Sequence, residues 1–238
     1  MSNLPAISEK TITALDAAAT AGQLTASTGG QFARALATAA AVNTLRDLLD
    51  ENVMKSVMAL QNNALGFLTD RKDAPYSVNV VRDCLIEAVL QGVSPVGNEF
   101  NIISGRAYIT KAGMRRKLSN VSGLSYTITP GLPKMAATSD GAAIVMTIDW
   151  TIDGKSEHKE LPLAVRVNKS MGTDAIIGKA TRKAAAWLYD AVTGMSVSDG
   201  DVSDDDAIPT TAKTVSSPIE SDPHVENVTA TADGTLPM

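Results

Sequence analysis

Cysteine, histidine and aromatic residues are scarce in this chain, and each scarcity excludes a chemistry. One cysteine, Cys84, in 238 residues permits no internal disulfide and no cysteine-cluster zinc site, and a reducing compartment is expected. The two histidines, His158 and His224, lie in a charged hairpin pattern and in a polar C-terminal stretch. Neither supports a catalytic triad or a histidine-based metal site. Aromatic residues make up 4% of the chain, so base-stacking surfaces must be few. No apolar run reaches the roughly 18 residues of a membrane span. The N-terminus has no basic patch before an apolar stretch, so no signal peptide is expected.

Nucleotide chemistry is also missing. Gly172–Thr181, GTDAIIGKAT, superficially has the form of a phosphate-binding loop. It fails because five residues separate the glycines, where about four are required, and Ala180 stands where Ser or Thr must hold Mg²⁺. The stretch also falls inside a helical pattern. Nucleotide hydrolysis is rejected on these grounds, no cofactor is expected, and the chain is read as a non-enzyme. Asp83 with Glu87, and Asp149 with Asp153, are read as solvated faces rather than metal ligands.

What is present is charge, unevenly placed. The net charge is −5, from 21 Lys and Arg against 26 Asp and Glu. Nine of those acids and a single lysine, Lys213, lie in 196–238, so the rest of the chain keeps a slight basic excess. Arg106, Lys111, Arg115, Arg116 and Lys117 fall close together, and Arg166, Lys169, Lys179, Arg182 and Lys183 form a second group. Such clusters suit phosphate binding by Coulomb attraction and counterion release. The competing reading is of solvated helix faces balanced by nearby acids. Arg115–Lys117 are consecutive, so they sweep around a helix and cannot all face one ligand.

Periodicity gives the organisation. Residues 1–44 are rich in Ala, Thr and Ser, helix-permissive at Ala17–Ala21 and Phe32–Ala41, with few large side chains. They read as an arm that is disordered alone or packs against a neighbouring subunit. Residues 45–61 carry an apolar stripe of Leu45, Leu48, Leu49, Val53, Val57 and Leu60 and read as one amphipathic helix. Leu65–Asp73 reads as a loop. Leu124–Thr129 and Ala142–Asp153 alternate as strands, Asp153-Gly154 signals a hairpin turn, and Leu161, Leu163, Val165 and Val167 mark the return strand. Pro162 cannot donate to a ladder and points to an edge strand or bulge. In the helix expected over Thr173–Val192, Ile176, Ala180, Ala184, Trp187 and Leu188 share an apolar arc, with Lys179, Arg182 and Lys183 outside it. Beyond Gly194 periodicity is lost, and 196–238 reads as a disordered acidic tail. The expected fold is α+β. A small antiparallel sheet with hairpins is flanked by helices, in a core of 45–195 that ends in the long amphipathic helix.

The centre of that core is 76–118. Val78, Val81, Leu85, Ala88 and Val89 recur at helical spacing, Ser77 can cap the helix, and Gly92 with Pro95 ends it. Phe100–Ile103 and Arg106–Thr110 form a hairpin through Ser104-Gly105, and a basic helix follows. This order resembles the phage RecT-type single-strand DNA annealing proteins, relatives of lambda Red beta. There a helix leads into a Gly-Leu-x-Pro turn, a strand pair, and a glycine before a helix. Gly92, Pro95, Asn98, Tyr108 and Gly113 occupy those places, with Val93 in place of the leucine. The likeness runs diffusely from Leu60 to Trp187.

The resemblance implies a recombination protein that binds single-stranded DNA and anneals complementary strands without ATP. It further implies a homo-oligomer in the bacterial host cytoplasm, a phage exonuclease and host single-strand-binding protein as partners, and an annealed duplex as product. The candidate DNA contacts are then Arg106, Lys111, Arg115, Arg116, Lys117, Arg166, Lys169, Lys179, Arg182 and Lys183. Tyr108 is the stacking candidate, against an alternative as a core tyrosine; Trp150 and Trp187 are expected in the core. The second reading of the same clusters is a scaffold or assembly protein that meets an acidic partner.

Overall fold

The computed structural model describes residues 7–23, 30–71, 73–135, 141–168 and 171–197. Nearly all of the acidic segment, from 198 onward, lies outside them, as does Lys169. The fold is α+β. Its helices are α1 (Glu9–Gly22), α2 (Gln31–Leu48), α3 (Glu51–Met58), α4 (Val78–Leu90), α5 (Lys111–Ser119) and α6 (Thr173–Thr193). Strands β1 (Phe100–Ile103) and β2 (Arg106–Ile109) form a two-stranded sheet. Strands β3 (Ser125–Pro130), β4 (Lys134–Met135), β5 (Gly141–Ile152) and β6 (Lys155–Arg166) form a four-stranded one, and all pairings are antiparallel. None of the described helices is long and apolar enough to cross a membrane.

The arm does not stand apart. The α1–α2 hairpin packs on α4, and α2 runs straight through residue 44 into the expected core. Gly22 makes the packing possible, because a Cβ there would collide with the Ala41 methyl and lie 2.6 Å from Leu90 Cδ2. The helix expected over 45–61 is two helices. Leu49 closes α2 onto the Leu45 carbonyl, and Asp50 restarts the chain as the N-cap of α3, its carboxylate accepting from the Val53 amide at 2.9 Å. The apolar stripe survives the break, since Leu45, Leu49 and Val53 are all buried.

Both hairpins turn where expected. Ser104 and Gly105 take φ of 52° and 75°, and Asp153 and Gly154 take 50° and 77°, the paired left-handed backbone of two-residue turns. The register of β5 with β6 is unbroken from Gly141↔Arg166 to Ile152↔Lys155, so Pro162 sits on an edge strand and not in a bulge. β3 and β4 line the other edge of β5. Ile144, Met146, Ile148 and Trp150 point into the core from β5, as their alternation requires. Ser77 precedes α4 without a side-chain capping bond.

α6 departs most from its sequence pattern. It is buried on two sides. Ile176, Ala180, Ala184 and Leu188 form the apolar side, where α6 meets the large sheet and Trp187 meets Trp150 edge-on at 5.7 Å between centroids. Arg182, Ala185 and Tyr189 are buried about a third of a turn farther round, where Arg182 reaches β2 and Tyr189 meets α5. The helix is therefore a central post between the large sheet and the hairpin–α5 unit.

Candidate nucleic-acid interface

The first cationic group is carried by β2 and α5. Arg106 opens β2 beside the turn, paired across the hairpin with Ile103, and is exposed. It faces Glu87 of α4, whose carboxylate also accepts from the Ala107 amide and the Gln91 side chain. Burial nonetheless pushes the Glu87 carboxyl upward. The solvated face expected for Glu87 is thus incorrect, because the hairpin covers that side of α4. Asp83 is exposed and pairs with Arg46 at 3.1 Å. Asp149 pairs with His158 at 2.7 Å rather than standing with Asp153, and both partners are exposed.

α5 begins where Thr110 turns the chain. Its hydroxyl accepts from the Gly113 amide at 3.3 Å and donates to the Asn98 carbonyl at 2.7 Å. Gly113 lies against the Glu99 carbonyl so closely that a Cβ would overlap it. Lys111 and Arg115, four residues apart, share the outer face and are exposed. Arg116 is also exposed, and its Nε donates to both Glu99 carboxylate oxygens, at 2.7 and 2.6 Å. Glu99 in turn accepts from the Ser94 amide at 2.7 Å, which ties the Pro95 turn to α5.

Lys117 does not join that face. It is 6% exposed, its Nζ donates to the Gln91 carbonyl at 2.7 Å, and it lies 4.4 Å from the Tyr189 ring centroid. Burial lowers its pKa to about 8. Three consecutive cations sweep around the helix, so one must turn inward, and the Gln91 carbonyl at the end of α4 receives it. With Tyr189, Arg46, Ile86 and Leu90, Lys117 lines a cavity of about 370 Å³ between the helices.

The second cationic group is on β6 and α6. Arg166 ends β6 and is exposed, and its carbonyl accepts from Lys179 Nζ at 3.4 Å. Lys179 and Lys183 are half-buried on the outer side of α6. Arg182, expected beside them, is 3% exposed. Its Nε donates to the Ile109 carbonyl at 2.6 Å, and its guanidinium covers the Tyr108 ring at 4.1 Å. The exposure expected for Lys117 and Arg182 is therefore corrected, since both reach inward to carbonyls at element ends. Tyr108 is half-buried, and Trp187 is half-buried rather than fully in the core. Through the Arg182–Tyr108 contact the strand of the first group meets the helix of the second.

Glu99, Gln91 and Tyr189 shape this region and carried no signal in the sequence pattern, since each acts through a partner distant in the chain. Among the described residues no group of three or more His, Cys, Asp or Glu side chains could hold a metal ion. No protein-family model, curated protein or solved structure matches the chain.

Proposed function

We propose that this protein binds single-stranded DNA and anneals complementary strands without a nucleotide cofactor, as its resemblance to the RecT-type annealing proteins implies. The observation that carries the reading is the set of outward cations on one connected unit: Arg106, Lys111 and Arg115 on β2 and α5, and Lys179 and Lys183 on α6. Arg116 and Arg166 add to it. In this reading Lys117 and Arg182 hold the elements in place from within, and Tyr108 is the stacking candidate. Basic side chains neutralise phosphates and leave bases free to pair, and pairing at about 1.4 kcal/mol per stacked step drives the reaction. The site of action is the bacterial host cytoplasm, the active form is a homo-oligomer, and a phage exonuclease and host single-strand-binding protein are its partners.

The second reading, a scaffold or assembly protein with an acidic partner, is favoured by one observation. Phe32 and Leu36 on α2 are 88% and 71% exposed, an apolar face that suits protein contact. Fluorescence anisotropy of a labelled single-stranded oligonucleotide separates the two. Annealing requires binding that weakens with salt at any base sequence, whereas no binding at low salt leaves the scaffold reading.

A further inference from the structure

The exposed side of α6 is a narrow strip between its two buried sides, and Lys179, Lys183 and Asp190 lie along it. Past the helix end the chain lies against the last turns of α6. Gly194 takes left-handed backbone, φ 66°, and the Met195 amide donates back to Thr193 Oγ1 at 3.2 Å. Ser196 and Val197 then line a cleft of about 240 Å³ with Asp190, Trp187, Ala186 and Lys183. Val197 is thereby placed in one cleft with Lys183, while Met195 and Ser196 also line the cavity that holds Lys117 and Tyr189. The residues that follow are Ser198, Asp199, Gly200, Asp201, Val202, Ser203, Asp204, Asp205 and Asp206.

We propose that the acidic run Asp199–Asp206 docks on the Lys179–Lys183 strip of its own chain and competes there with DNA phosphates. Path and sign select this occupant. An extended chain covers about 3.3 Å per residue, so Asp199 falls within roughly 7 Å of Val197 and Asp206 within roughly 30 Å. Lys179 lies one helical turn, about 6 Å, beyond Lys183. The chain is therefore long enough to bring all five carboxylates to the strip. Asp190 repels them at the near end, and Lys183, Lys179 and Arg166 attract them farther along. The competition rests on the DNA-binding reading above; the docking does not.

The test uses full-length protein beside a full-length variant carrying D199N, D201N, D204N, D205N and D206N. Zero-length carbodiimide cross-linking without DNA, read by mass spectrometry, is expected to join Lys179 or Lys183 to the 199–206 peptide in the parent protein and not in the variant. The variant is expected to bind a single-stranded oligonucleotide roughly three- to tenfold more tightly at low salt, with the gain fading as salt screens the run. Missing cross-links at both lysines, or equal affinities across the salt titration, overturn the proposal. If neither protein binds DNA at any salt, the DNA reading has failed, and the cross-links alone decide the docking.

Discussion

The guanidinium of Arg182 covers the ring of Tyr108 at 4.1 Å while its Nε donates to the Ile109 carbonyl at 2.6 Å, so one side chain of α6 closes the end of β2. A charge assigned by helical spacing to the outer face is in fact the joint between the hairpin and the helix that backs the large sheet. A charge-assisted bond to a buried carbonyl is worth about 1.5–3 kcal/mol, and a desolvated cation–π contact adds to it.

Arg182→Ala is accordingly expected to destabilise the protein by about 2–4 kcal/mol. Arg182→Lys should recover only part, because an ammonium cannot stack on the ring and reach the carbonyl as a guanidinium does. Urea denaturation monitored by circular dichroism checks both. An unchanged midpoint for Arg182→Ala would show that the contact holds nothing together.

Lys117 makes stability depend on pH in an unusual direction. Its pKa falls from 10.5 to about 8 on folding, because burial disfavours the charged amine. Between those values the unfolded chain binds more protons than the folded one, so stability rises with pH. The Cys84 thiol works against this. Burial raises it from 9.0 to about 12, and its contribution is lost as pH climbs above the lower value. The upward slope is therefore expected from about pH 7.5 to 9. Lys117→Met should abolish that slope. Parallel stability curves for the two proteins over this range would contradict the buried amine.

Gly113 is the point where α5 touches the loop before β1. A Cβ there would overlap the Glu99 carbonyl and come within 2.8 Å of Ile109 Cγ2. Neither neighbour is the free end of a flexible side chain. Gly113→Ala should therefore cost about 2–4 kcal/mol despite the better helix propensity of alanine. Thermal denaturation reads the loss, and a gain in stability would show that the loop yields.

The contrast between these residues explains how much could be read from sequence. Strand alternation in β5, the two left-handed turn pairs, the edge position of Pro162 and the extent of α6 all follow from local rules, and the structure has them. The second buried side of α6 does not follow. It consists of Arg182, Ala185 and Tyr189, and no hydrophobic scale marks an arginine whose partner is a carbonyl 73 positions away. Lys117 is hidden for the same reason, since its partner is the last turn of α4. The division of 45–61 into two helices was visible only in Asp50, a capping residue inside an otherwise continuous apolar stripe. The cationic residues fall on β2, α5, β6 and α6, with Lys169 outside the described residues, but which of them face outward is decided by tertiary packing.

Lys111 and Arg115 offer the cleanest test of phosphate binding, since both are exposed on one face of α5. The double alanine variant should keep its stability within about 0.5 kcal/mol. Its single-strand affinity should fall, and the slope of log K against log salt should flatten by roughly 0.7 for each phosphate that is no longer neutralised. An unchanged slope would place the phosphates elsewhere.

The central claim is annealing itself, and it is measured most directly by mixing two complementary oligonucleotides, one labelled with a fluorophore and one with a quencher, in the absence of ATP. Substoichiometric to saturating protein should accelerate quenching well above the spontaneous rate, and the Lys111→Ala/Arg115→Ala protein should do so less. Duplex formation at the spontaneous rate, at every protein concentration and at low salt, would contradict the account.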